Sequence, residues 1–272
     1  MTPETILFIG DLHAGSHHAP WPEDNLPGAS RWSGVRYLND CLRHLVEERL
    51  PEEIDLLCLM GDLVDGEQRK SRGTGLFTTK LAEQVEGAIE LLRPIAQRAK
   101  RIVRVDGTPY HEDFSGVVRI LDSELGVGHY AQIIDLELPG GVMNLAHHPA
   151  GGSALYMGTK VDKEALWSTI AASRNKVPLP RWIIRSHLHE YMLQDSQHST
   201  VMILPAWQLP TPWAKKGNYW RWQPTIGAVL ALRDDDAPGG YLFRPLLYDP
   251  PMPGTTNLTE VPRAATRTAL MG

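Results

Sequence analysis

The chain has 272 residues, of which 42% are apolar and 22% charged, and a formal net charge of −5. That length can bury a large core, and the mild acidity excludes a general electrostatic pull towards nucleic acid or an anionic membrane. There is no apolar run of roughly 18 residues, as a membrane span needs.

"TILFIG" (5–10) is a short apolar run closed by glycine and predicts a buried strand. Its direct start, without a basic leader, predicts a cytoplasmic protein rather than a secreted one. Val35, Leu38, Leu42, Leu45 and Val46 recur at helical spacing over 34–50. A strand follows at 54–60, and then a helix over 76–99 with Leu81, Val85, Ala88, Ile89, Leu92 and Ile95 on one face and Pro94 near its end. "RIVRV" (101–105) is the third strand. Strand and helix thus alternate, which implies parallel pairing with right-handed crossovers. The two cysteines, Cys41 and Cys58, sit apart in apolar patterns and read as buried free thiols of a reducing compartment.

The second half differs. A helix is expected over 113–125, strands at 130–138 and 142–147 joined by "PGG", and a helix at 161–173. Strand-like runs at 181–186, 190–195, 200–205, 226–232 and 240–247 imply antiparallel or mixed pairing. A single domain is expected over 1–248. The stretch 249–272, rich in Pro, Thr and Ala, predicts an extended or partly disordered tail.

The chemistry gathers where strands end. Strand one leads to Asp11 and His13, strand two to Asp62 and Asp65, and strand three to Asp106, His111 and Glu112. The run 142–147 leads to His147 and His148, and 181–186 to His187 and His189. Open α/β sheets bind ligands at the carboxyl ends of their strands. The pairs Asp11/His13 and His187/His189 are two residues apart, which puts both side chains on one side of an extended segment. Mixed Asp and imidazole donors suit borderline divalent ions. Asp62 is the natural bridging carboxylate, and two ions about 3.5–4 Å apart can clamp a phosphoryl group and generate hydroxide.

In this order, D-x-H, G-D-x-x-D, a His-bearing third strand end, a His after a strand and H-x-H resemble the calcineurin-like metallophosphoesterase superfamily, from residue 6 to about 205. A looser likeness, through "LPAWQLP" and a G-T-P-x-H third motif, points to a phage or prophage-type subgroup. The resemblance implies a mixed α/β (α+β) fold, a four-layer αββα sandwich. It also implies two divalent ions, manganese first, with iron, zinc and nickel as alternatives. Asp11, His13 and His189 would hold one ion, Asp62 would bridge, and His147 and His187 would hold the other. Asp65 would orient a histidine rather than bind metal. His147 is preferred to His148 because it comes first off the strand.

The third motif departs from the family's G-N-H-[DE], whose Asn oxygen binds the second ion and whose His contacts phosphate. Here Gly107-Thr108-Pro109-Tyr110-His111-Glu112 has no Asn and two extra residues. Three readings stand open: Thr108 supplies the oxygen, His111 is itself a ligand, or water fills the position with His111 as general acid. His111 near the second ion, with Thr108 beside it, is the preferred placement, and Glu112 and Asp113 would open the next helix. Ser186 stands where the family has Gly before H-x-H.

Arg69 and Arg72, with Lys70 and Lys80, put positive charge on the 66–80 loop, and with Thr108 and His148 they are the candidate substrate contacts. The 14–33 loop and the tryptophan-rich segment 205–223 could stack bases or simply pack. The glycine-rich 149–160 lacks the P-loop pattern. The expected activity is hydrolysis of a phosphate mono- or diester by metal-activated hydroxide. The expected substrates are a phosphorylated small molecule, a nucleotide or single-stranded nucleic acid. The altered third motif motivates one alternative: a degenerate metal-binding scaffold acting in protein assembly.

Overall fold

The computed structural model describes residues 2–27, 32–112, 116–149, 158–174, 177–212 and 225–250. Four parallel strands form the body of the first sheet: β1 (Thr5–Ile9), β2 (Leu56–Leu59), β3 (Ile102–Val105) and β4 (His129–Ala131). β10 (Ile226–Arg233) and β11 (Tyr241–Tyr248) extend it antiparallel beyond β1, giving the order β11-β10-β1-β2-β3-β4. The second sheet runs β5-β6-β7-β9-β8, built from β5 (Ile133–Leu138), β6 (Gly141–Ala146), β7 (Trp182–Arg185), β8 (Met192–Asp195) and β9 (Thr200–Ile203). It too is mixed, with parallel pairs β6–β7 and β7–β9.

The period-two pattern of the first-sheet strands sorts their side chains to two faces. Leu7, Ile9, Leu57 and Leu59 pack with α1 (Ser33–His44), α2 (Leu81–Ala96) and α3 (Val118–Leu125). Ile6, Phe8, Leu56 and Cys58 face the other way, onto Met143, Leu145, Trp182, Ile184 and Met202 of the second sheet. Val161 of α4 (Thr159–Ser173) covers the far face of that sheet at Ile183, Val201 and Ile203. The layers are therefore α, β, β, α. Each fully buried Leu or Ile contributes on the order of 1.5–3 kcal/mol, so both interlayer cores matter to holding the strand ends together.

Three expectations change. The run 130–138 is two strands, because the chain leaves the first sheet after Ala131 and joins the second at Ile133. Alternating hydrophobicity is identical on both sides of such a switch, so periodicity cannot reveal it. The helix over 34–50 ends as α1 at His44 and continues as a π-type turn, Leu45–Arg49. Glu112 does not open a helix: α3 begins at Val118 and Glu112 is buried. Residues 113–115, 150–157, 213–224 and the tail from 251 lie outside the described residues, and with them Asp113, most of the glycine-rich loop, and Trp213, Trp220 and Trp222. No helix among the described residues is long and apolar enough to cross a membrane.

Candidate metal centre

The ends of β1, β2, β3, β6 and β7 converge at one edge of the sandwich and bring the predicted Asp and His residues together in four overlapping groups. Asp11, His13 and His189 form one, and Asp11, Asp62 and His147 a second. His147, His148 and His187 form a third, and His13, Asp65 and His111 a fourth.

The backbone that presents them is not extended. Asp11, His13, Asp62, His187 and His189 have φ of 48°, 49°, 48°, 72° and 58°. These are five of the seven described non-glycine residues with positive φ. The two-residue spacing therefore acts through left-handed turns, not strand alternation, which corrects the reason but not the grouping. Such conformations cost on the order of 1–3 kcal/mol each and collect where function demands them. Gly107 lets the third strand end close on the second: a Cβ there would lie 2.3 Å from the Asp62 backbone nitrogen and 2.5 Å from Asp62 Oδ1.

Asp11 is fully buried, and its Oδ2 accepts the His187 N–H at 2.8 Å. Its Oδ1 has no hydrogen-bond partner among the described residues. That oxygen faces three imidazole nitrogens: His189 Nε2 at 3.5 Å, His13 Nε2 at 3.9 Å and His147 Nε2 at 4.0 Å. Nε2 of His13 and Nε2 of His189 are themselves 3.2 Å apart. His13 Nδ1 lies 2.8 Å from Asp65 Oδ1 and donates to it, which leaves its Nε2 lone pair aimed into the site. His147 is fixed likewise, with Nδ1 2.8 Å from the Met60 carbonyl and from Ser186 Oγ, and Nε2 3.0 Å from Asp62 Oδ2. Ser186 thus supports a histidine through its hydroxyl.

A buried carboxylate oxygen with no donor among the described residues, ringed by imidazole nitrogens that offer lone pairs once deprotonated, fits a cation. Zinc-like ions bind N and O donors at about 2.0–2.2 Å, so donors 3–4 Å apart can share one ion.

Electrostatics agree. Burial opposes the charge on Asp11, but His189 and His147 outweigh it and hold the carboxyl below the usual range. Asp62 too is depressed, against burial, by His147 and His13. Burial pushes His147 down, yet Asp62 and Asp11 raise it to about 10. His13 is raised too, because Asp65 overcomes burial. His187 is lowered to about 4 by burial and by His147 and His148.

Thr108 stands at the missing Asn's strand end. Its N–H donates to Asp62 Oδ1 at 2.6 Å, and its Oγ1 lies 3.0 Å from Asp62 Oδ2 and 3.3 Å from Nε2 of both His147 and His148. His111 stands elsewhere. Its ring meets His13 edge-on at 4.7 Å, and its Nδ1 is 2.8 Å from the Asp65 carbonyl and 3.5 Å from Asp65 Oδ1. The His111 N–H still bonds the Thr108 carbonyl at 2.9 Å, but the two extra residues put its side chain on the His13 side. Burial lowers its pKa, reinforced by His13.

Arg69 is exposed and its Nε pairs with Glu67 at 2.6 Å; Arg72 is exposed on the same turn. Gln68 of that turn reaches His111 at 3.5 Å. The aromatic residues described in the two long segments pack: Trp21 stacks on Phe77, Trp32 donates to the Pro27 carbonyl, and Trp207 is fully buried. Three residues support the site in ways that the sequence does not show. Gln84 of α2 accepts the N–H groups of Asp65 and Gly66. Gln208 lies 3.3 Å from Asp65 Oδ1, and Glu112 accepts the N–H of Leu63 and of Gly107. Of these only Glu112 stands out in the sequence, at its strand end, and there it reads as a helix opener.

Residues 4–96 match the family model described as calcineurin-like phosphoesterase. That stretch, which carries Asp11, His13, Asp62 and Asp65, is similar to calcineurin-like phosphoesterases. No curated protein matches the sequence. Among solved structures, the chain is similar to an archaeal phosphodiesterase at 10% identity and a TM-score of 0.46, covering 90% of this chain and 99% of that one. A double mutant of Vps29 from Entamoeba histolytica gives 12% identity and a TM-score of 0.45, with the same coverage. The phosphoesterase Yfce from E. coli gives 13% and 0.42, covering 85% and 89%.

Proposed function

We propose that the protein is a hydrolase that holds two divalent ions and cleaves a phosphate mono- or diester, in a small molecule, a nucleotide or single-stranded nucleic acid. The observation that carries this reading is Asp11 Oδ1, buried, unpartnered and facing three imidazole nitrogens. In this reading Asp11, His13 and His189 hold one ion, Asp62 bridges, and His147 and His187 hold the other. When bound, the ions activate water as nucleophile and neutralise charge on the phosphoryl oxygens.

The chain's own groups do the rest. Asp65 keeps the His13 Nδ1 proton, so that Nε2 faces the ion. His111 is the general acid. With Nδ1 donating to the Asp65 carbonyl, its Nε2 protonates the leaving oxygen in the imidazolium form, which burial and His13 disfavour in the ion-free protein. Arg69 and Arg72, on the turn whose Gln68 touches His111, offer positive charge to the incoming phosphate.

The test measures metal content and manganese-dependent hydrolysis of an aryl monoester, an aryl diester and single-stranded DNA. Turnover of at least one is expected. Two bound ions without turnover of any would leave only the metal-binding scaffold. Asp62→Asn is expected to lower activity by more than the roughly 100-fold reached when a supporting group is lost, with loss of metal. Full activity and metal content in that variant would remove Asp62 from its bridging role.

A further inference from the structure

We propose that His148 is a ligand of the second ion, making that position a three-imidazole site of His147, His148 and His187 beside Asp62. This rests on the two-ion reading above and changes what the second ion is held by.

The argument starts from Thr108. Its hydroxyl lies 3.0 Å from Asp62 Oδ2, an acceptor-only carboxylate, so the hydroxyl proton is committed there. Its lone pairs then face Nε2 of His147 and Nε2 of His148, each at 3.3 Å. In the neutral ring that an ion requires, Nδ1 donates to the Met60 carbonyl and His147 Nε2 carries a lone pair. An alcohol oxygen and an unprotonated imidazole nitrogen converge here, and His148 completes the ring around the same point. One nitrogen from each of His147, His148 and His187 lies within 4.8 Å of the other two. The His148 ring sits 4.3 Å from that of His187 and 4.8 Å from that of His147.

Thr108 is a weak neutral donor in the place of a carboxamide oxygen, and an imidazole is a much better one for a borderline ion. His148 therefore restores the donor that the third motif has lost, from a different strand end. The consequence is asymmetry. The group around Asp11 keeps a carboxylate and two imidazoles, whereas the second position is rich in nitrogen and favours cobalt, nickel or zinc over manganese. His148 and His187 are both exposed, so this second ion is also the more readily exchanged.

The experiment titrates chelator-treated full-length protein with Co²⁺ and with Mn²⁺ by calorimetry, and follows the visible cobalt bands, for wild type, His148→Ala and His148→Asn. Wild type is expected to take two cobalt ions. His148→Ala should weaken one of the two by at least about 10-fold, leave the other unchanged and alter the cobalt spectrum, and His148→Asn should recover part of the loss. Because His148 is exposed, thermal unfolding of the metal-free variants should match wild type, which separates ligand loss from misfolding. Unchanged affinities and an unchanged spectrum in His148→Ala would overturn the His148 assignment while leaving the two-ion reading standing. Uptake of fewer than two ions by wild type would overturn both.

Discussion

Two buried clusters of charge lie side by side at the end of the first sheet, and they are built to opposite rules. In one, Arg104 of β3 has all three guanidinium nitrogens engaged. Nε bonds Asp122 at 2.5 Å, one terminal nitrogen bonds Glu112 at 2.9 Å and the other bonds Asp106 at 2.9 Å. Arg119 adds a second cation, 3.1 Å from Asp122 and 3.4 Å from Asp106. In the other cluster Asp11 and Asp62 face histidines, and among the described residues Asp11 Oδ1 has no hydrogen-bond partner. A buried cluster whose donors and acceptors are all matched is a brace. One that leaves a carboxylate oxygen facing lone pairs is a receptor for a cation. Glu112 joins the two, since its Oε2 takes Arg104 and the Gly107 N–H while its Oε1 takes the Leu63 N–H. It thereby ties the residue after Asp62 to the residue before Thr108.

The sharpest way to break this comparison is Arg104→Met. Three acids would lose their shared buried partner, and removing one side of a buried ion pair costs about 3–5 kcal/mol. Chemical denaturation of the metal-free protein should show that loss; an unchanged midpoint would mean the cluster is no brace. Glu112→Gln is milder. It keeps the volume and an acceptor for Leu63 but gives up the charge on the bond to Arg104, worth about 1.5–3 kcal/mol. If the brace positions the site, the same variant also weakens ion binding by roughly 10–100-fold. Full ion affinity alongside the stability loss would show that the two clusters are independent.

The same contrast explains what could be read in advance. Asp11, His13, Asp62, His147, His187 and His189 were legible because each follows an apolar run at a short fixed offset. Strand ends of parallel sheets collect at one edge whatever the details of packing. Arg104 was not legible, since within "RIVRV" it reads as a strand residue. Its burial depends on Asp122, eighteen residues away in α3, and on Glu112, whose acid next to a helix suggested an N-terminal dipole partner instead. The left-handed backbone of the turns that bear Asp11, His13, Asp62, His187 and His189 was also hidden, because Asp and His carry no sequence signal for positive φ as strong as glycine's. The side to which the His111 ring turns was hidden for a related reason. Two inserted residues lengthen the loop, and only the fold shows that the extra length carries its ring across to His13.

The smallest effect is the most diagnostic, because it depends on which cluster titrates. In the metal-free protein, His147 has a folded pKa raised to about 10 from an ordinary 6.5, against burial, by Asp62 and Asp11. A raised folded pKa contributes stability that is fully present below pH 6.5 and is lost as pH rises through about 10. Asp62 is depressed below its ordinary 3.8, so its share is present above that value and is lost only in stronger acid. The metal-free protein should therefore lose thermal stability steadily between pH 6.5 and 9.5, by an amount on the order of a few degrees. The ion-loaded protein should behave oppositely relative to it. A cation replaces the proton on His147, so ion binding strengthens as pH rises and the gap between loaded and chelated melting temperatures widens over the same window. Arg104 stays charged throughout that window, so Arg104→Met should lower the chelated curve without changing its slope. A chelated melting temperature that is flat or rising from pH 6.5 to 9.5 would show that the Asp62–His147 pair is not what holds the cation-free site together.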